Sequence, residues 1–366
     1  MFGLVKGAPI KGIQGLQFVR ANAVLLVVMT HAAAILAFPE NFHRLFLGGL
    51  FAKGAVGVDI FFVLSGFIII HVALQKRTLQ ARAGLADFLA KRFIRIVPFL
   101  WVAVAAYAAI RYVGTQEFEW GPYLNSLFLV PVGEVRPNVV WSLRHEALFY
   151  IVFAASFLLR KKAPYVLYIW SVSPLALWLL RDIGGMHFEA GELFDFVFNR
   201  ANAMFGCGVT IGLICQKYEL PRRPLSENPF LPWLLIIGTS VLAFFVRDSL
   251  NSAAVALAAC ATVVSGLLTP NSGTLFARTW QLLGDASYAI YLTHNIILLI
   301  GATLWVKILG GGNFAAAFLV LCIFAVAGGV FVHILVERPV IAISKRALDK
   351  LRGSRAPGRR VRSEVS

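Results

Sequence analysis

The chain has 366 residues, of which 59% are hydrophobic and 14% are charged. A mean hydropathy of +0.76 excludes a soluble globular domain, because apolar runs recur from one end of the sequence to the other. The formal net charge of +16 first suggests a nucleic-acid partner, but the same hydropathy argues against nucleic acid. The sequence therefore predicts a polytopic membrane protein of the all-α class.

Ten apolar segments, each near the about 20 residues that cross a bilayer, predict a bundle of about ten transmembrane helices. In chain order they are 15–37, 54–74, 94–113, 141–159, 164–181, 200–216, 231–247, 251–268, 285–306 and 314–336. The stretch Tyr123–Val132 is also apolar but too short to span, and we expect it to be interfacial or re-entrant.

The charges of the connecting segments alternate along the chain. Lysine and arginine collect in 75–93, 160–162, around 217–223 and in the C-terminal tail, whereas the intervening loops are richer in acid. Because cytoplasmic loops collect Lys and Arg, both termini are predicted to be cytoplasmic. We expect a transmembrane domain over 13–340 and a basic cytoplasmic tail over 341–366, which can also contact the headgroups of membrane lipids.

Two features of the apolar segments resemble other kinds of site. Lys6, an apolar run and the A-x-A-like Ala32–Ala34 resemble a signal peptide, but hydrophobicity continues past His31, so we expect a retained first helix. The cysteines all lie in apolar segments, which is typical of small buried residues and predicts neither disulfides nor a metal site. They are Cys207, Cys215, Cys260 and Cys322.

The first predicted helix carries two ionisable side chains, Arg20 and His31. Their 11-residue separation is about 20° from three full helical turns, so both lie on one face, about 16 Å apart along the axis. An arginine at the centre of a membrane helix costs about 2.5–3.5 kcal/mol on insertion scales. Snorkelling of Arg20 and an interhelical hydrogen bond of His31 are the structural alternatives, but the shared face favours function.

The next two motifs are GVDIFFVLSGFIII, at 57–70, and KRFIRIVP, at 91–98. Asp59 opens the second predicted span, where the positive end of the helix dipole explains a negative charge without any catalytic role. Arg92 and Arg95 are three residues apart and project together from one end of the third span. Their spacing alone favours ordinary positive-inside flanking, and a bidentate grip on phosphate oxygens is the functional alternative.

The segment WSLRHEALFY, at 141–150, brings a carboxylate into the fourth predicted span. We expect Ser142 to be the N-cap of this helix, and Glu146 lies too far along it for a simple capping box. An acid inside the membrane is a candidate for function, unless Arg144 or His145 neutralises it.

The last motif, SYAIYLTH at 287–294, places Ser287, Tyr291 and His294 on one stripe of the ninth predicted span. Tyrosines are common near membrane interfaces, but a histidine near mid-span is harder to explain structurally. A membrane-embedded histidine base can serve acyl transfer or proton-coupled transport, and the spacing of these residues does not decide between them.

Taken together, the motifs resemble the acyltransferase-3 family of bacterial inner-membrane proteins, which O-acylate cell-surface and exported polysaccharides. Five blocks match in the family's order: Arg20-x10-His31, GVDIFFVLSGF, Arg92-x-x-Arg95, WSL-x-x-E-x-x-FY and SY-x-x-YL-x-H. A closing Val336-Glu337-Arg338-Pro339 also fits, so the resemblance covers residues 13–339. The IQGLQ opening looks most like the exopolysaccharide O-acetyltransferase branch.

The resemblance implies a donor and an acceptor. The donor is an acyl-CoA, usually acetyl-CoA, that arrives from the cytosol, and the acceptor is a sugar hydroxyl on an exported or lipid-linked glycan. By position in the motifs, His31 is implied as the catalytic base, Arg20 as its companion and Glu146 as a support of the centre. Arg92 and Arg95 are implied to bind the donor's phosphates. The residues implied to line the site are Asp59, Trp141, Ser287, Tyr288, Tyr291 and His294.

Two other classes of function stay open at this stage. A transporter or flippase of a lipid-linked saccharide or a small acid would also need many spans and buried ionisable groups. No internal repeat of the kind found in many secondary transporters is visible, which weighs mildly against it. A membrane scaffold for a glycan-assembly complex is the third interpretation.

Overall fold

The described chain is built from helices. A computed structural model describes residues 13–43, 46–82, 84–156, 163–182, 191–218, 230–246 and 252–353. Within these ranges no strand forms, and one isolated antiparallel bridge joins Leu74 to Ala81. The predicted all-α class is therefore confirmed.

Thirteen α-helices can be traced within the described ranges, with a 3₁₀ segment before α2 and a π turn before α13. The first seven are α1 Gln14–Leu36, α2 Val56–Ala73, α3 Leu85–Thr115, α4 Trp120–Leu127, α5 Val140–Ser156, α6 Ala163–Asp182 and α7 Glu192–Val197. The remaining six are α8 Arg200–Lys217, α9 Phe230–Val246, α10 Ser252–Leu267, α11 Leu275–Leu309, α12 Phe314–Val332 and α13 Arg338–Gly353. The 3₁₀ segment is Phe46–Ala55 and the π turn is His333–Glu337.

Five helical segments of the described chain are long and apolar enough to cross a membrane. They are Gln14–Leu36, Phe46–Ala73, Leu85–Thr115, Leu275–Leu309 and Phe314–Arg352. Each of the ten predicted segments contains a helix, but five of these helices do not meet both criteria. The apolar helices fit a membrane protein, whereas the predicted count of about ten spans is not confirmed.

Several of these helical segments are longer than the hydrocarbon core of a membrane, and two of them contact each other at their polar ends. Helix α3 has 31 residues and the segment Phe314–Arg352 has 39, so they measure about 46 Å and 58 Å against a hydrocarbon core of about 30 Å. Their polar ends meet, because Asp87 of α3 pairs with Arg352 at 2.6 Å. Asp87 also pairs with Lys91 within α3 at 2.6 Å. This ion pairing explains why α3 begins at Leu85, nine residues before position 94, where hydropathy predicted its start.

Glycines set the closest helix contacts in the bundle. A Cβ on Gly208 of α8 would overlap the backbone carbonyl oxygen of Val63 on α2, and one on Gly66 would overlap that of Phe205. Lipid is as apolar as the helix surfaces, so association in a membrane depends on close packing, which small residues permit. These contacts make α2–α8 one of the two most extensive helix pairs in the described chain, the other being α1–α11.

Candidate active site

A cavity of about 580 Å³ lies inside the bundle. It follows α2 from Val58 through Phe61 and Ser65 to Ile68, a rise of about 15 Å along one helix face. Helices α1, α3, α5, α11 and α13 and the π turn supply its other walls. We call its end at Ser142 and Tyr291 the inner end.

Charged side chains are concentrated on the cavity walls. The cations are Arg20, Arg92, Arg95, Arg338 and Lys345, and the carboxylates are Glu146, Asp285 and Glu337. Ionisable groups inside a membrane bundle mark candidate functional sites, and an excess of positive charge suits an anionic ligand. We call the end lined by Arg92, Arg95, Arg338 and Lys345 the cationic mouth.

Arg20 faces this cavity from α1. Its Nε donates a hydrogen bond of 3.1 Å to the buried Oγ of Ser287 on α11. The two helices approach closely there because Gly284 packs its bare Cα against the backbone of Gln17. The structure thus brings together two residues that sequence reasoning had placed on separate stripes.

Arg92 is held by aromatic rings. Its guanidinium lies 5.4 Å from the centroid of the Phe88 ring and 5.6 Å from that of Tyr150. Cation–π stacking of this kind fixes the plane of the guanidinium. Its Nε is buried and makes no hydrogen bond with the described residues, and the side chain lines the cavity.

Arg95 is held in a different way. Its guanidinium lies 5.9 Å from the Tyr288 ring, and NH1 is 3.8 Å from Oε1 of the fully buried Glu337. Tyr288 is itself fixed, because its hydroxyl donates to the backbone oxygen of Ile96 at 2.9 Å. An ion pair as long as 3.8 Å is loose, which leaves this arginine able to contact an anion.

Glu146 takes its hydrogen bonds from hydroxyl groups. The Tyr150 hydroxyl donates to its Oε1, and the Ser65 Oγ donates to the same oxygen at 3.4 Å. Both partners line the cavity with it. Glu146 therefore lies on the cavity wall with polar but uncharged hydrogen-bond partners.

The interpretation that Arg144 or His145 neutralises Glu146 is wrong. Arg144 NH1 donates to the Gly133 oxygen at 2.8 Å, and His145 Nδ1 lies 3.1 Å from Oδ1 of Asn202. Successive helix residues point about 100° apart, so neighbours in sequence face different partners. Arg144 instead binds the loop that contains Gly133, and His145 binds helix α8 through Asn202.

The predicted N-cap role of Ser142 is also wrong. Helix α5 begins at Val140, because the Val140 amide donates to the Pro137 oxygen at 3.1 Å and starts the first turn earlier. The Ser142 Oγ instead pairs with the Tyr291 hydroxyl at 2.6 Å and donates to Val139 oxygen at 3.1 Å. These hydroxyls form the polar surface of the inner end.

His31 and His294 form a pair beyond the inner end. Nε2 of His294 lies 3.1 Å from Nδ1 of His31, and the ring centroids are 4.9 Å apart. The Tyr291 ring, which lines the cavity, lies 6.0 Å from the His294 ring. His294 is fully buried whereas His31 is partly exposed.

The hydrogen bonds of the pair assign its tautomers. Nδ1 of His31 lies 3.0 Å from the Val27 carbonyl oxygen, and Nδ1 of His294 lies 3.0 Å from that of Ile290. A carbonyl only accepts, so in the neutral pair both Nδ1 atoms carry the proton. His31 Nδ1–H is then shared between Val27 and His294, and Nε2 of His31 keeps the lone pair of a base.

A family model described as an acyltransferase domain matches residues 13–334. The chain belongs to the acyltransferase-3 family. This membership supports an acyltransferase over the transporter and the scaffold that the sequence alone left open.

Curated relatives agree with this assignment. The chain is 29% identical over 309 residues to "Exopolysaccharide production protein ExoZ" of Rhizobium meliloti, covering 80% of this chain and 92% of that protein. It is 25% identical over 332 residues to "O-acetyltransferase OatA" of Staphylococcus aureus, covering 78% of this chain and 50% of that protein. "Nodulation protein 10" of Rhizobium leguminosarum is 25% identical over 291 residues, or 67% and 72% of the two chains. No solved structure matches this acyltransferase.

Four of the predicted site residues do not line the cavity in the described chain: His31 and His294, which pair beyond its inner end, and Asp59 and Trp141. Asp59 lies in the first turn of α2 and Trp141 is 39% exposed, with its ring against Phe62 and His145. Neither is among the residues that line the cavity in the described chain. Asp59 is thus where the helix-dipole argument expects an acid, and Trp141 packs on the outer side of α5.

Several residues that line the cavity of this acyltransferase were not predicted from the sequence. Tyr150 could have been found, because it follows Glu146 by four residues and lies on the same helix face. The segment of the π turn was recognised as a matching motif, but none of its residues was assigned a function. In the structure, His333 Nδ1 contacts Glu337 Oε2 at 2.6 Å, and Arg338 Nε donates to His333 Nε2 at 3.0 Å. Lys345 gave no signal, because its segment looked like a polar tail.

Proposed function

We propose that this acyltransferase moves an acetyl group from acetyl-CoA to a hydroxyl of an exported or lipid-linked polysaccharide. The observation that carries the proposal is one cavity that joins a cationic mouth to an inner end beside a histidine pair. The names of the relatives support the glycan acceptor and the acetyl group, since one is named an exopolysaccharide production protein and another an O-acetyltransferase.

We further propose that the protein lies in a bacterial inner membrane with both termini in the cytoplasm. The loops rich in lysine and arginine support this orientation. It puts the cationic mouth on the cytoplasmic side, where acyl-CoA is available. It also puts His31, later in α1 than Arg20, about 16 Å farther from that side.

The proposed reaction begins with the donor's phosphates on Arg92 and Arg95 and its thioester directed to the inner end. Nε2 of His31 removes the proton of the acceptor hydroxyl, and the resulting oxygen attacks the thioester carbonyl. Collapse of the tetrahedral intermediate forms the ester and releases the CoA thiolate, which is protonated. Transfer through an acyl-histidine is the alternative: the imidazole first displaces the CoA thiolate from the thioester carbonyl, and the acceptor oxygen then displaces the imidazole to form the ester.

The negative oxygen of that intermediate needs hydrogen-bond donors. The Ser142 and Tyr291 hydroxyls at the inner end and the Arg20 guanidinium on the cavity wall are the side chains we propose for this role. The Glu146 carboxylate, held by Tyr150 and Ser65, orients the polar groups around it.

The activity can be tested on cells. Deleting the gene is expected to remove O-acetyl signals from the surface or exported glycan, as followed by NMR of the purified polysaccharide. Complementation with the wild-type gene restores them. Unchanged acetylation in the deletion strain would count against the proposal.

The first variant addresses the donor. Arg92→Ala is expected to raise KM for acetyl-CoA about 10–100-fold with a kcat near that of wild type, because hydrogen bonds to charged groups contribute about 1.5–3 kcal/mol. Initial rates over a range of acetyl-CoA concentrations measure both constants. Arg278→Ala, an exposed arginine on α11 outside the cavity, is the matched control. An unchanged KM in Arg92→Ala contradicts the donor assignment.

A second variant addresses the carboxylate. Glu146→Gln keeps an oxygen that accepts from Tyr150 and Ser65 and removes only the negative charge. We expect kcat to fall about 100-fold if this charge supports proton transfer in the site. The exposed Glu117→Gln provides the same chemical change away from the cavity. A fully active Glu146→Gln enzyme shows that only the hydrogen bonds matter.

A further inference from the structure

One face of α13 forms a wall of the cationic mouth. Arg338, Ile341, Ala342 and Lys345 all line the cavity, and their spacing of three, four and seven residues is that of a single helix face. This face belongs to a segment that the sequence predicted to be mostly a basic tail. The mouth therefore has cations from two directions, α3 and α13.

The two cations of α13 are in different states. Arg338 is already engaged, because its Nε donates to Nε2 of His333 at 3.0 Å. Lys345 is exposed and makes no hydrogen bond or ion pair with another described residue. It lies seven residues after Arg338, which is about 10 Å farther along the helix axis.

The position of Lys345 is fixed from its other side. Arg352 follows it by another seven residues, on the same face, and pairs with Asp87 of α3 at 2.6 Å. Asp87 also holds Lys91 at 2.6 Å. The Arg352–Asp87 pair holds α13 against the first turn of α3, and Lys345 is exposed between this pair and Arg338, so it lies where a water-soluble ligand can reach the mouth.

We propose that Lys345 binds a phosphomonoester at the outer end of the donor, namely the phosphate on the 3′ hydroxyl of the CoA ribose. The inference rests on the proposed function, in which Arg92 and Arg95 hold the diphosphate. CoA carries these two phosphate groups separately, both at the end away from the thioester. A lysine ammonium suits the terminal phosphate because it acts as a point charge that accepts many geometries.

The consequence is selectivity for the donor. A thioester donor that lacks the 3′ phosphate, such as dephospho-CoA or pantetheine attached to a carrier protein, lacks the group that Lys345 contacts. The enzyme then distinguishes donors at the mouth, far from the bond that reacts.

The test compares two nucleotides on purified protein in nanodiscs of uncharged lipid. Isothermal titration of CoA and 3′-dephospho-CoA gives both Kd values. Wild type is expected to bind CoA about tenfold more tightly than dephospho-CoA. Lys345→Gln is expected to weaken CoA binding about tenfold and to leave dephospho-CoA within twofold, whereas Lys345→Arg keeps the preference.

Lys350→Gln is the matched control, because it removes the same charge from α13 about 140° around the helix from Lys345 and outside the cavity lining. It is expected to leave both Kd values unchanged. Equal apparent Tm values for all variants show that folding is unaffected.

Several outcomes overturn the proposal. One is that wild type binds CoA and dephospho-CoA with equal Kd values. Another is that Lys345→Gln weakens the binding of both nucleotides by the same factor. A third comes from a separate binding measurement, in which Lys345→Gln lowers only the affinity of the protein for vesicles that contain phosphatidylglycerol. The last result assigns Lys345 to a lipid phosphate. If neither CoA nor dephospho-CoA binds the wild-type protein, the proposed function fails as well. Acetyl transfer without a preference for the 3′ phosphate refutes this inference alone.

Discussion

His31→Asn is expected to lower kcat by about 10²–10⁴-fold while leaving Kd for acetyl-CoA unchanged. Asparagine can still form the hydrogen bonds toward Val27 and His294, but it has no nitrogen that accepts a proton at neutral pH. The side chain lies outside the cavity lining, so donor binding does not depend on it. Single-turnover acetyl transfer to purified glycan measures the rate, and calorimetry with CoA measures binding.

His43→Asn supplies the same change at an exposed histidine in the turn after α1 and is expected to be fully active. A His31→Asn enzyme that retains wild-type kcat would remove the base from the proposed reaction. A variant that also loses CoA binding would show that His31 acts on the donor site rather than on chemistry.

His294 adds a second test of the same pair. Because its Nε2 lies 3.1 Å from Nδ1 of His31, it orients the ring and fixes which nitrogen is basic. His294→Asn is expected to reduce kcat less than His31→Asn does. The double variant should be no slower than His31→Asn, since groups that act as a unit are not additive. Additive losses would indicate an independent role.

Gly208→Leu is expected to destabilise the fold by about 3 kcal/mol or more, because its side chain must displace the backbone of Val63. The helices α2 and α8 cannot move apart without opening one of the most extensive contacts in the bundle. We expect an apparent Tm lower by about 5–10 °C, or little folded protein. Thermal unfolding monitored by size-exclusion chromatography in detergent gives the value.

Gly238→Leu on α9 is the matched control, because nothing lies within 4 Å of the Cβ position at this exposed glycine. It is expected to leave the apparent Tm unchanged. Equal Tm values for the two variants would show that the α2–α8 contact tolerates separation and that close packing is not what holds it.

The sequence predicted the helical class and much of the site because both follow from local rules. The 11-residue spacing placed Arg20 and His31 on one face of α1, and the stripe of Ser287 and His294 placed their partners on one face of α11. In the structure these faces meet, with Arg20 on Ser287 and His31 on His294. The match needs only the helical period and one pair of packed helices.

Other parts of the site could not be predicted, since they depend on contacts distant in the chain. The direction of Arg144 is set by the Gly133 carbonyl, and that of His145 by Asn202. Hydropathy also could not identify α13 as a cavity wall, because a polar helix that leaves the membrane has the composition of a solvated tail. The predicted count of about ten spans is not confirmed, because an apolar window in the sequence does not give the length of the helix that forms there, and five of the helices in these windows do not meet both the length and the hydropathy criteria in the described residues.

The partners of α1 have a consequence for biosynthesis. Its polar side chains are made first, yet Gln14 contacts Ser272, Arg20 contacts Ser287 and His31 contacts His294, more than 250 positions later. At about 5–20 residues per second, the ribosome reaches Ser287 roughly 13–53 s after Arg20. During that interval the nascent first helix holds an unsatisfied guanidinium, so chains truncated before α11 should be substrates of membrane quality-control proteases.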